Sequence, residues 1–138
     1  MTRVLVVEDD PAVRLVIEEA LKARGFDVWA VPNEVVAYQL LETNADDVSV
    51  LVTDLNLGFG ANGKDVVRRA LSLNPSMKVL YCTGEDTDIG RYQLRGGIVC
   101  RKPLPVDVLG DMVEALVAEC KAQRPRTAPR RAVAAEAR

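Results

Sequence analysis

Five short, mainly apolar runs punctuate the chain, at residues 4–7, 28–31, 50–57, 78–82 and 98–100, and Val, Leu or Ile recur in each. Continuous rather than alternating hydrophobicity is what a strand covered on both faces needs. Between the runs the apolar spacing becomes helical. Ala12, Val13, Val16, Ile17, Ala20 and Leu21 share one face of a first helix, with Arg14, Glu18, Glu19 and Lys22 opposite. Val36, Ala37, Leu40 and Leu41 mark a second helix ending near residue 42. Val66, Val67, Ala70 and Leu71 mark a third over 64–73, and Leu109, Val113, Leu116 and Val117 a last one over 106–120.

The boundaries carry their own signals. Asp10 before Pro11 is a helix start and Gly25 a stop, Pro32-Asn33 caps the second helix, and Asn74-Pro75 ends the third. Residues 43–47 read as a polar connection, and 58–63 as a glycine-dense loop able to reach positive φ. The weakest element is a helix expected over 85–94, where Thr87 and Gly90 lower the propensity. Strand and helix thus alternate five times. That pattern predicts an α/β domain with a parallel sheet, right-handed crossovers and helices on both faces.

The chain of 138 residues is 49% hydrophobic, enough for one domain with a real core. Its net charge of −2 hides an asymmetry: residues 1–120 hold 12 basic and 19 acidic side chains, residues 121–138 six and one. An acidic body over 1–120 and a basic, disordered tail over 121–138 are expected. That tail has no aromatic residue, so no nucleic-acid partner is expected, and no run reaches membrane-spanning length or resembles a signal peptide. The expected location is cytoplasmic. Cys82, Cys100 and Cys120 lack CxxC spacing and read as buried apolar residues. There is no histidine; catalytic triads and histidine metal sites are excluded, and any histidine chemistry must come from a partner.

In a parallel sheet the carboxyl ends of the strands share one edge, where ligands bind. The residues delivered there are Glu8 and Asp9, then Asp54, Thr83 and Lys102. Three carboxylates repel one another unless a cation lies among them, and oxygen donors of that number suit Mg²⁺. Asp54, standing after so apolar a strand, can then stay ionised and attack phosphorus. Lys102 and Thr83 would hold the other phosphoryl oxygens, by charge and by a hydrogen bond.

These residues resemble, in order, the receiver domain of two-component response regulators. The motifs are Val4-Leu-Val-Val-Glu-Asp-Asp-Pro-Ala-Val-Arg14, Thr53-Asp54-Leu-Asn56, Leu80-Tyr-Cys-Thr83-Gly84 and Lys102-Pro103, and the likeness runs over about residues 2–120. The resemblance implies a flavodoxin-like, doubly wound (βα)5 fold with strand order 2-1-3-4-5. It further implies Asp54 as phosphoacceptor, Glu8 and Asp9 as the acidic pair holding Mg²⁺, and the Asn56 backbone carbonyl as a further ligand. Thr83 takes the place of the switch hydroxyl, Lys102 that of the phosphoryl-pairing lysine, and the Lys102–Pro103 bond is expected to be cis. A histidine kinase or phosphotransfer protein is the implied partner.

Four departures from the family pattern stand out. Glu8 replaces the commoner Asp, Gly58-Phe59-Gly60 replaces the usual proline loop, and about three residues are missing between Thr83 and Lys102. Val99 stands where many receivers place an aromatic switch residue, which shifts the expected output to the fourth helix and its loop. Asp10 reads as a cap, Tyr92 as packing and Trp29 as part of the sheet.

The leading function is a stand-alone response regulator, a phosphoacceptor with at most slow autodephosphorylation and no other enzyme activity. The alternative is a phosphorylation-independent interaction module of the same fold. A metal-dependent aspartyl phosphatase fits less well, because Asn56 rather than Asp follows the nucleophile. A nucleotide-binding oxidoreductase fits poorly, because acids rather than glycines follow the first strand.

Overall fold

A computed structural model describes residues 2–55, 63–84, 97–103 and 105–123. Five strands, β1 (Arg3–Val7), β2 (Asp27–Val31), β3 (Val48–Asp54), β4 (Lys78–Thr83) and β5 (Ile98–Arg101), form one sheet in the order β2-β1-β3-β4-β5. Every pairing is parallel. The helices are α1 (Pro11–Ala23), α2 (Glu34–Asn44), α3 (Gly63–Leu73) and α4 (Val106–Gln123). The helix expected over 85–94, with Tyr92, lies outside the described residues, as do Asn56, the loop glycines 58 and 60, and residues 124–138.

Strand alternation divides the core in two. Val4, Val6, Val50, Val52, Leu80 and Cys82 pack with Ile17 and Leu21 of α1 and with Leu109, Val113 and Leu116 of α4. The intervening Leu5, Val7, Leu51, Val79 and Tyr81 pack with Ala37 and Leu41 of α2 and Val66, Val67 and Ala70 of α3. All seven residues of β3 are buried, Ser49, Thr53 and Asp54 among them, and cover on both faces is why its middle, Val50-Leu51-Val52, is apolar without alternation.

The end signals work largely as expected. Asp10 accepts hydrogen bonds from the Ala12 and Val13 N–H groups and caps α1, and Asn33 accepts from Val36 and caps α2. Gly25 follows α1 at φ +92°, and Lys102–Pro103 is cis. All three cysteines are buried and free. Trp29 is partly buried in the sheet, with the Arg3 guanidinium 3.7 Å from its ring centre.

Two boundaries differ from expectation. The connection at 43–47 is largely helical: α2 continues to Asn44, and Ala45–Asp47 forms a 3-10 turn whose Ala45 is buried. Asn74 holds this turn by donating to the carbonyls of Ala45 and Val48 at 2.9 and 3.2 Å, a tertiary contact invisible to local propensity. At the other end α4 runs to Gln123, so residues 121–123, expected in the tail, are helical. Lys121, Ala122 and Gln123 are good helix formers, and the first residue hostile to continuation is Arg124, ahead of Pro125.

An unforeseen clasp joins α1 to α4. Arg24 lies over Gly110, where an added Cβ would sit 2.4 Å from its Cζ. It donates to Asp111 and Glu114, both at 2.9 Å, and to the Asp107 carbonyl at 3.1 Å.

Candidate functional site

The carboxyl edge of the sheet gathers the charged residues. Glu8 continues β1 beside β2, its N–H donating to Val31 O at 3.0 Å, and its carboxylate lies close to that of Asp54 at the end of β3. One oxygen of each of Glu8, Asp9 and Asp54 lies within 4.8 Å of the others. Asp9 is exposed, whereas Glu8 is only 3% and Asp54 only 9% exposed.

Lys102 reaches across from the end of β5. Its Nζ donates to Asp54 Oδ2 at 2.8 Å and to Glu8 Oε1 at 2.9 Å. The other Glu8 oxygen accepts from the Asp10 N–H at 3.2 Å, and the Glu8 carbonyl accepts from Arg14 at 3.0 Å. Glu8, with its extra methylene, therefore stays in direct contact with the lysine.

Burial pushes the Glu8 carboxyl up, and the Lys102 hydrogen bond and charge only partly oppose this. Burial pulls the Lys102 ammonium down, but hydrogen bonds to Asp54 and Glu8 outweigh it and hold the group above its ordinary range. The lysine is thus a fixed cation between two half-desolvated acids.

Thr83 is brought to the same edge but not into this ion cluster. It is fully buried, and its Oγ1 has no hydrogen-bond partner among the described residues. Its carbonyl accepts from the Lys102 N–H at 2.6 Å, which ties the hydroxyl-bearing residue to the lysine-bearing one. A buried hydroxyl without a partner costs stability, so it is a group suited to an incoming acceptor.

Gly63, read from the sequence as the last residue of the glycine-dense loop, opens α3 against the end of β3. An added Cβ would lie 2.1 Å from Asp54 O and 2.8 Å from Thr53 Oγ1. Its N–H donates to Leu55 O at 2.9 Å. Only a residue without a side chain lets α3 begin so close behind Asp54.

The oxygen set fits a small hard cation. Opposite ligands of Mg²⁺ stand about 4.2 Å apart, twice a metal–oxygen distance of about 2.1 Å, so the three carboxylates need only a small adjustment. Asn56, the further expected ligand, lies outside the described residues.

Comparison with known proteins agrees with the geometry. The response regulator receiver domain family matches residues 4–99. The chain is 32% identical over 84 residues to the response regulator receiver protein CpdR of Brucella abortus, covering 61% of this chain and 68% of that protein. It is 33% identical over 109 residues to a cyclic di-GMP phosphodiesterase of Thermotoga maritima, covering 77% of this chain but only 28% of that protein. A response regulator receiver domain protein from Clostridium thermocellum superposes with a TM-score of 0.81 at 21% identity, over 90% of this chain and all of that one. The chain belongs to the response regulator receiver domain family.

Proposed function

We propose that this receiver accepts a phosphoryl group on Asp54 from a phosphohistidine of a histidine kinase or phosphotransfer protein and signals through phosphorylation-dependent protein contact. The observation that carries the proposal is Asp54 itself: a nearly buried carboxylate, 2.8 Å from a lysine ammonium, in a cluster with Glu8 and Asp9. The donor must bring the imidazole, since the chain has no histidine.

In the transfer an Asp54 oxygen attacks phosphorus, the P–N bond to the donor imidazole breaks, and that imidazole recovers a proton. Glu8 and Asp9, with Asp54 and the Asn56 carbonyl, would hold Mg²⁺, which supplies charge neutralisation on the phosphoryl oxygens. Lys102 pairs with the transferred group by charge, and Thr83 turns its unpartnered hydroxyl to a phosphoryl oxygen. The chain is a phosphoacceptor rather than an enzyme, with slow hydrolysis of its own acyl phosphate, and it works in the cytoplasm.

Intact mass after incubation with Mg²⁺ and a small phosphodonor, then with a histidine kinase, tests this. Wild-type protein gains one phosphoryl group and Asp54→Asn gains none. If neither donor labels the wild type while a control receiver is labelled, the chain is a phosphorylation-independent interaction module.

A further inference from the structure

Between α1 and α4, on the same sheet edge as the acidic cluster, lies a cavity of about 430 Å³. Its walls are apolar, formed by Val13, Val16, Ile17, Pro103, Val106 and Leu109, and Lys102 reaches it from the site. Val16 in its wall is 50% exposed, and on the same two helices Leu15 and Val108 are 53% and 40% exposed. Exposed apolar side chains grouped around an apolar cavity are suited to being covered. Asp9 and Asp10 at the start of α1 and Asp107 at the start of α4 are exposed acids on those same two helix ends.

A segment with the chemistry to cover it lies within the chain. Residues 1–120 carry 12 basic and 19 acidic side chains, whereas residues 124–138 carry five basic and one acidic, so the segment after α4 has the opposite charge to the body. That segment contains a short apolar stretch, Ala132-Val133-Ala134-Ala135, directly after Arg130-Arg131. Reach is sufficient. The 18 residues of α4 span about 27 Å at 1.5 Å per residue. Val133 stands ten residues beyond Gln123, and a proline-containing stretch of that length extends about 31 Å. The chain can therefore return from the far end of α4 to the Val106 end, where the cavity lies.

We propose that residues 130–135 dock back across the α1–α4 groove, with Val133 in the cavity and Arg130 and Arg131 against the acidic rim. The docked segment covers the face next to Asp54. Competition with a protein phosphodonor would follow, a consequence that rests on the phosphoacceptor reading, whereas the docking does not.

A nitroxide on Ala135→Cys in the full chain tests the docking without any phosphorylation step; the native cysteines are buried and stay unlabelled. The expected result is loss of methyl signal at Val13, Val16, Ile17 and Val108, with the exposed Val35 on α2 unaffected. Adding Val133→Asp restores the lost signals, and raising the salt weakens the effect. Equal intensities at Val16 and Val35 overturn the proposal. So does broadening that appears only when spin-labelled protein is mixed with isotope-labelled, nitroxide-free copies, which would make a second copy the occupant.

Discussion

The Lys102 N–H donates to the carbonyl of Thr83 at 2.6 Å, so one backbone bridge between β4 and β5 sets both the lysine and the hydroxyl at the sheet edge. The lysine has found its partners in Asp54 and Glu8, while the Thr83 hydroxyl has none among the described residues. The two halves of the site are thus in different conditions before any phosphoryl group arrives.

Thr83→Val should accordingly stabilise the unphosphorylated protein, by about 1 kcal/mol, since it replaces an unsatisfied buried hydroxyl with a methyl of similar size. The same variant should still label at Asp54 but lose the phosphorylation-dependent change in partner binding. Urea denaturation and a binding assay on labelled protein check the two halves. A destabilised variant would mean that the hydroxyl is satisfied in solution.

Lys102→Met removes the cation from between two nearly buried acids. A loss of about 2 kcal/mol is expected without Mg²⁺, because an uncompensated buried charge costs more than the pair gains. Mg²⁺ should recover more stability in this variant than in the wild type. Denaturation midpoints with and without the ion measure the difference, and equal responses would remove the lysine from the charge balance.

Gly63→Ala puts a Cβ 2.1 Å from the Asp54 carbonyl. Backbone must move to accept it, at a cost of about 1–3 kcal/mol. Slower labelling of Asp54 should accompany the loss, since α3 and the nucleophile share this contact. A Tm and a labelling rate both equal to wild type would show that the helix start relaxes freely.

Burial pushes the Cys82 thiol up to about 12 from its ordinary 9.0. The fold therefore favours the neutral thiol. That contribution is fully present below about pH 9 and is lost as the pH rises through 12. Alkylation of native protein at pH 8 should leave Cys82 and Cys100 untouched until the chain unfolds, as peptide mapping would show. Ready modification of Cys82 through the adjoining cavity would contradict it.

Much of this was legible in the linear chain. The buried strands of a doubly wound sheet are apolar on both faces, so their positions stood out, and Asp54 and Lys102 stood out because each is a charge delivered by such a strand. Helix starts at Asp10 and Asn33 were legible because a cap is a local interaction. Gly63 and Asn74 were not, since each answers to a backbone far away in sequence. The Arg24 clasp was equally invisible: nothing in the surroundings of Arg24 says that Gly110 will pass beneath it.

The sequence by itself determined the order of elements, the parallel sheet and the chemical types at its edge, because periodicity and chain direction are local properties. Tertiary structure decided how those types are paired. It placed Lys102 between Asp54 and Glu8, left the Thr83 hydroxyl without a partner among the described residues, and opened an apolar cavity beside them between α1 and α4. Distances of a few ångström between residues up to 94 positions apart depend on how strands register and helices pack, and only the assembled core fixes those.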